Sequence, residues 1–338
     1  MQALVFTAPN EMQFREEPAP ELDRNATCEE VIVKVAHCGI CGSDMHAYHG
    51  HDMVRRPPPL ILGHEAAGTI VDGPRSGERV AINPLMSCGT CIDCQRGEPH
   101  LCSERRLLSM KGSPGAFAEY VRVRAENCLA LPDGMPTEEA ALTEPMAVCN
   151  HAVSLGERWM RRPLSEAYAV VVGGGAIGLG TALALAARGV RDIAIAETSG
   201  LRRERLSSFG PFVAYDPAAQ NGAPDDSSAD LVFDAFGSGR SRAEASRVVR
   251  PGGAIVHIGL AGGDDGIDVR KLTLQEVGFL GTYCYTPTDV RETLDGLAKG
   301  RYGDLSWTEQ RPLAEGAECF QDLDGGQVAS AKIVLAME

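Results

Sequence analysis

Four cysteines crowd the segment Met86–Ser103 at the spacing Cys88-x2-Cys91-x2-Cys94-x7-Cys102. Thiolates so spaced can wrap one tetrahedral ion, and zinc takes four sulfur ligands in closed sites that leave no position for a substrate. The expected role is structural: a zinc ion clamping a loop that has little apolar core of its own. A second polar set lies upstream, in Cys38-Gly-Ile-Cys41-Gly-Ser43-Asp44-Met-His46 and in Gly63-His64-Glu65. Cys41, His64 and a carboxylate would make a mixed-ligand zinc site able to keep one position for water or substrate. Asp44, three residues after Cys41, is placed to hold the other ring nitrogen of His64.

A third constellation, Val172-Gly173-Gly-Gly175-Ala176-Ile177-Gly178, follows a β-branched run and opens an alanine- and leucine-rich stretch. In a strand–turn–helix unit these glycines let a dinucleotide pyrophosphate approach the helix N-terminus. Glu197 ends the next strand, 19 residues after Gly178, where an acidic side chain accepts from the adenosine ribose hydroxyls and repels a 2′-phosphate. Thr198, Ser199, Arg202 and Arg203 follow at once. They offer the opposing reading, a cradle for the extra phosphate of NADP, or simply a helix start with a basic face. A carboxylate at close range outweighs arginines a turn away, so NAD is expected over NADP.

These residues need scaffolds. Glu30–Ala36 alternates like a half-buried strand, and Glu78–Ile82 and Phe117–Val123 resemble further short strands. Arg55–Leu60 and the cysteine lobe are irregular; Tyr48, His49, His51, Arg55 and Arg56 are expected to be solvated or to line a substrate mouth. Pro136–Asn150 turns helical. From about Tyr168, strands at Ala169–Val172, Asp192–Glu197, Asp230–Asp234 and Gly253–Gly259 alternate with helices at Ala176–Arg188, Arg202–Phe209 and Arg240–Arg250. That alternation predicts parallel βαβ units. Thr288–Lys299 reads as a surface helix capped by Thr288, and Ala331–Ala336 as a strand returning to the first domain. Ala167–Ala187 carries no charge and has the length of a membrane span, but its three glycines split it into a buried strand and a buried helix.

At 338 residues the chain is long enough for two domains, and 44% hydrophobic with 23% charged residues is ordinary for a globular protein. The net charge of −14 and pI near 5.1 disfavour nucleic acid or an anionic membrane as partner. Eleven cysteines, an odd number, with no secretory pattern in Met1–Pro9, fit metal-bound thiolates in a reducing compartment better than a disulfide framework. A cytoplasmic location is expected.

The motifs CGICGSDMH (Cys38–His46), LGHEAAG (Leu62–Gly68), the four-cysteine lobe, GAFAEYV (Gly115–Val121), LTEPMAV (Leu142–Val148) and VVVGGGAIG (Val170–Gly178) occur in a telling order. Over essentially its whole length the chain resembles the zinc-containing medium-chain dehydrogenase/reductase family, particularly its polyol (sorbitol or iditol) dehydrogenase branch. The resemblance implies an α/β fold: a GroES-like β-rich catalytic domain (1–148 and 286–338) with two zinc sites, and a Rossmann NAD(P)-binding domain (149–285) built on a doubly wound parallel sheet. It places Cys41 and His64 at a catalytic zinc, Glu65 as a carboxylate able to approach or coordinate the metal, and Glu144 as a further zinc-shell glutamate, with Cys149 as its rival. Ser43 would take the substrate's hydroxyl proton and His46 would pass it to solvent, unless they are a turn hydroxyl and a surface histidine. A homodimer or homotetramer, paired through the edge strand near Leu280–Tyr285, is also implied.

The activity expected from this resemblance is hydride transfer between a polyol or other secondary alcohol and NAD, giving the ketone, with two Zn2+ per chain. The alternatives are a dehydrogenase of a sugar acid, an amino alcohol or a phosphorylated polyol, NADP being an option there, or a nucleotide-binding sensor without turnover. Cys284-Tyr285 stands where animal sorbitol dehydrogenases carry an arginine–tyrosine pair that contributes to polyol binding, so sorbitol itself is not dictated. The partner expected is a small-molecule alcohol, not nucleic acid or membrane.

Overall fold

The computed structural model describes residues 1–23, 28–219 and 222–337. They form two compact units: Met1–Glu144 with Thr286–Lys299 and Thr308–Glu338, and Pro145–Tyr285 with Gly300–Trp307. Gly300–Trp307, expected from the sequence to belong with the first unit, groups instead with the second. The buried Tyr302 accounts for this, since its hydroxyl accepts a hydrogen bond from Asn150 Nδ2 at 2.7 Å.

The first unit is built around Glu30–Gly39, whose alternating valines Val31, Val33 and Val35 bury one face. Glu65–Asp72, Tyr120–Arg124 and Lys332–Ala336 all pair antiparallel with it. The sheet continues through Arg79–Ile82 to Cys128–Ala130 at one side, and to Thr308–Pro312 at the other. A smaller sheet joins Glu11–Glu16, Gln2–Ala8 and Leu60–Ile61. Leu4, Phe6, Val33, Leu62, Phe117, Phe320 and Ile333 lie in one apolar cluster between these layers. Phe117 serves that core rather than beginning a strand, so the expected Phe117–Val123 strand starts only at Tyr120. Its ring also dictates the neighbouring turn: at Gly63, with φ +88°, a Cβ would come within 2.5 Å of the Phe117 ring. Glycine is therefore needed on both counts where Leu60–Ile61 turns into His64 and Glu65.

The helix expected at Thr288–Lys299 runs Pro287–Ala298, and its cap is Thr286 rather than Thr288. Thr286 Oγ1 accepts from the Asp289 amide while the Asp289 carboxylate accepts from the Thr286 amide, with Pro287 in the first turn where no amide is missed.

Among its described residues the second unit holds six strands, all parallel, in the order Phe212–Tyr215, Asp192–Ala196, Tyr168–Val172, Ala229–Asp234, Val249–His257, Gly278–Gly281. Their near-continuous apolar runs suit a sheet covered on both faces. Strand order reverses between Tyr168–Val172 and Ala229–Asp234, and in doubly wound sheets the crevice at that switch point takes the ligand. The uncharged run Ala167–Ala187 divides into the strand Tyr168–Val172 and the helix Ala176–Ala187. Among the described residues no helix is long and apolar enough to cross a membrane.

Candidate active site and metal centres

The cysteine lobe folds as the short helix Ile92–Gln95 and the 3-10 turn Pro99–Leu101, and these bring Cys88, Cys91, Cys94 and Cys102 together with all four sulfurs within 4.8 Å of one another. Sulfur–sulfur separations are 3.4 Å for Cys91–Cys94, 3.6 Å for Cys88–Cys102 and 3.9 Å for Cys88–Cys94. Zn–S bonds of about 2.3 Å at tetrahedral angles require about 3.8 Å between sulfurs, so the donor set fits a zinc ion. The amides of Thr90 and Cys91 pull the Cys88 thiol down to about 6, making it a thiolate at neutral pH.

Cys41, His64 and Glu65 form the other group, with a sulfur, a ring nitrogen and a carboxylate oxygen within 4.8 Å of one another. Cys41 caps the helix Gly42–Tyr48, its sulfur 3.5 Å from the Ser43 amide. Asp44, wholly buried, ties that helix to the Gly63 turn: it accepts from the Cys41 amide at 3.0 Å and the Gly63 amide at 3.3 Å, and lies 3.5 Å from His64 Nδ1. Ser109 Oγ also sits 3.4 Å from His64 Nδ1. With Nδ1 so engaged, Nε2 is the nitrogen left for an ion, and Ser43 Oγ lies 3.4 Å from it. Burial pushes the His64 imidazole down, but the Asp44 carboxylate more than offsets this and holds it well above its ordinary value. Surroundings that attract a proton so strongly also attract a metal cation. This donor set, one thiolate, one imidazole and a carboxylate, fits zinc with room for a further ligand.

Glu65 is not a free carboxylate. Lys332 Nζ donates to both its oxygens, at 2.7 and 2.6 Å, and to the Ile40 carbonyl at 3.0 Å. Both side chains are buried. Glu144, in the first turn of the helix Thr143–Trp159, is buried but lies outside the Cys41–His64–Glu65 group; its charge reaches Lys332. Cys149 is directed elsewhere, its thiol donating to the Ile177 carbonyl at 3.3 Å. His46 packs edge-on against His51, ring centroids 5.3 Å apart.

Three residues of this site carry no motif of their own. Ser109, buried at φ +62°, sits in an irregular stretch; Lys332 looks like one polar residue in an apolar strand. Arg56, expected to be solvated or to line a mouth, is buried, its Nη1 donating to the Ser43 carbonyl, whereas its neighbour Arg55 is exposed and pairs with Asp52. A lysine amid Ile-Val-Leu in a strand was the one available signal.

In the second unit, Gly173, Gly174 and Gly175 make the turn from Tyr168–Val172 into the helix Ala176–Ala187, whose cap is Gly175. A Cβ at Gly178 would lie 1.7 Å from the Gly173 carbonyl, so only glycine allows this close packing, while the space beside Gly175 is open. The first-turn amides of Ala176, Ile177 and Gly178 therefore face a cradle suited to a phosphate. Glu197 follows the strand Asp192–Ala196 and lies against the glycine turn, accepting from the Gly174 amide at 2.9 Å and the Ser199 amide at 2.7 Å. Arg202 stands in the helix Gly200–Leu206, where its amide is capped by Ser199 Oγ. These residues fit a dinucleotide.

Residues 27–133 match the alcohol dehydrogenase GroES-like domain, and residues 176–299 match the zinc-binding dehydrogenase domain. The chain belongs to the zinc-containing alcohol dehydrogenase family. It is an NAD(P)-dependent oxidoreductase of alcohols within that family, which has polyol dehydrogenases among its members. It is 30% identical to the L-galactonate-5-dehydrogenase of Escherichia coli K12, over 95% of this chain and 94% of that one. It is likewise 30% identical to the sorbitol dehydrogenase of Bacillus subtilis, over 85% and 83%. Among solved structures, an alcohol dehydrogenase from E. coli CFT073 complexed with NADH superposes at TM-score 0.86 with 25% identity, covering 99% of both chains. A zinc-binding dehydrogenase from Sinorhizobium meliloti bound to NADP gives TM-score 0.87 and 25% identity, covering 99% of this chain and 98% of that one.

Proposed function

We propose that the protein oxidises a polyol or related secondary alcohol to its ketone with NAD, at a centre formed by Cys41, His64 and Glu65. The observation that carries this reading is the mixed sulfur, nitrogen and oxygen group within 4.8 Å, with Ser43 Oγ 3.4 Å from His64 Nε2. Zinc held there would supply Lewis acidity toward the substrate oxygen, and a bound nicotinamide would accept the hydride. Ser43 takes the hydroxyl proton as it gives its own onward, and His46 delivers it to solvent. Asp44 and Ser109 keep the His64 ring turned so that Nε2 faces the reacting centre. Glu144 adds a second buried negative charge beside the group. Purified protein assayed against polyols, sugar acids, amino alcohols and simple alcohols tests the reading; no turnover with any of them would favour a nucleotide sensor. A sugar acid is the second reading, supported by the alignment of an L-galactonate dehydrogenase along nearly the whole chain.

Two zinc ions per chain are proposed, with different fates. A mild chelator should abolish activity and remove one equivalent while the thermal midpoint falls little, because the four thiolates of the lobe close around their ion. Loss of both ions together, in step with unfolding, would contradict this. Thiolates of this kind persist in a reducing compartment such as the cytoplasm.

NAD is proposed over NADP because the Glu197 carboxylate lies on the glycine turn, where it would meet a ribose 2′-substituent. Wild type should show the higher kcat/KM with NAD, and Glu197→Ala should shift the ratio toward NADP by about tenfold or more. A wild-type preference for NADP, or an unmoved ratio, would refute the assignment.

A homodimer or homotetramer is proposed through the edge strand Gly278–Gly281, which has Phe279 41% exposed and Leu274 69% exposed nearby in sequence. An uncovered strand edge is an association template. The strand ends at Gly281, so pairing through it would centre ahead of the Leu280–Tyr285 stretch expected from sequence. Sedimentation at micromolar concentration should find no monomer.

A further inference from the structure

Arg56 brings a permanent positive charge into the interior of the first unit, at 3% exposure, from a loop whose other arginine is solvated. Burying a guanidinium is costly unless its surroundings answer it. The Ser43 carbonyl does: it accepts from Arg56 Nη1, on the turn that carries Cys41 and Asp44. Among the described residues Arg56 Nε is buried without a hydrogen-bond partner, so the Ser43 carbonyl ties the guanidinium in place without a saturated cage around it. Its loop is pinned at both sides: the Arg56 amide donates to the Asp52 carbonyl at 2.8 Å, and the Arg55 carbonyl accepts from the Lys111 amide at 2.7 Å. Lys111 lies two residues past Ser109, the other contact of His64 Nδ1.

We propose that Arg56 is a positioning residue for the Cys41–His64 centre, fixing the turn Cys41–Asp44 through the Ser43 carbonyl and so holding Cys41 and the Asp44 support of His64 in place. It touches the Ser43 backbone carbonyl, not a reacting atom. The inference rests on the reading of Cys41 and His64 as zinc ligands. It separates the two buried cations of the site: Lys332 pairs with Glu65, and Arg56 holds the backbone of the turn at Ser43.

The test follows zinc released from the holoenzyme to a chromogenic chelator, alongside kcat and KM, in wild type, Arg56→Met and Arg56→Lys. Outer contacts of this sort change metal affinity by about 10–100-fold. Arg56→Met should speed the fast zinc phase by that factor, leave the slow phase of the four-cysteine lobe unchanged, and lower kcat with KM little altered. Arg56→Lys, which keeps the charge but loses the planar fork, should fall between the two and shows the effect even if Arg56→Met does not fold. A fast phase unchanged in both variants overturns the proposal, as does a rise in KM alone, which would make Arg56 a substrate anchor. A wild-type protein with no fast phase at all would instead overturn the two-zinc reading on which the proposal stands.

Discussion

Cys41→Ser should lower kcat/KM by at least about a thousandfold, roughly 4 kcal/mol of transition-state stabilisation. It should also reduce zinc from two equivalents per chain to one, with little change in stability. Serine is a good choice because Cys41 has a second task, capping the helix Gly42–Tyr48. A serine hydroxyl caps at least as well as a thiol, so the helix and the Cys41 amide bond to Asp44 are retained while the soft ligand is lost. The fall in activity can then be read as loss of a ligand, not of the fold. Measuring kcat/KM, metal content and the thermal midpoint on one preparation decides it. Turnover surviving in Cys41→Ser would place the chemistry elsewhere.

The second large effect is on stability. Lys332→Met keeps roughly the length and apolar surroundings of the side chain but removes the charge that donates directly to both Glu65 oxygens. Burial pushes the Lys332 ammonium down, yet Glu65 outweighs it and holds the group above its ordinary value, so the ammonium keeps its charge across the working range of pH. Breaking one side of a buried pair typically costs about 3–5 kcal/mol, because the remaining charge stays buried without compensation. Urea unfolding should show that loss in Lys332→Met. Adding Glu65→Gln should restore most of it, since the stranded charge is then gone. An additive double variant would mean that the two side chains are not coupled as their geometry indicates.

What could be foreseen followed the distance between partners along the chain. The gathering of the cysteine lobe was legible because its four sulfurs stand within one short loop. The nucleotide turn was legible because strand, glycines and helix are consecutive, and the doubly wound order followed from their repetition. Asp44 was legible three residues from Cys41. Lys332, Ser109 and Arg56 were not, because each reaches the centre by packing of distant segments and none belongs to a local pattern. Arg56 was misread for a physical reason: Arg55-Arg56 before three prolines looks like a solvated basic corner, and for Arg55 it is one. The cap at Thr286 was misplaced because Pro287 marks the first turn, so the capping residue must precede it. Glu144, placed by resemblance alone, is near in charge but not gathered with the other donors.

Lys332 stands 267 residues after Glu65, and the whole nucleotide-binding stretch Pro145–Tyr285 is translated between them. The four sulfurs of the cysteine lobe are all supplied over a separation of 14 residues, from Cys88 to Cys102. The Cys41–His64–Glu65 group has no such local completion. Until the strand Lys332–Ala336 arrives and pairs with Glu30–Gly39, a carboxylate destined for burial lacks its partner and the half-built sheet keeps an open flank. Synthesis therefore supplies the parts in a fixed order: the cysteine lobe early, the stretch Pro145–Tyr285 next, and the partner of Glu65 last.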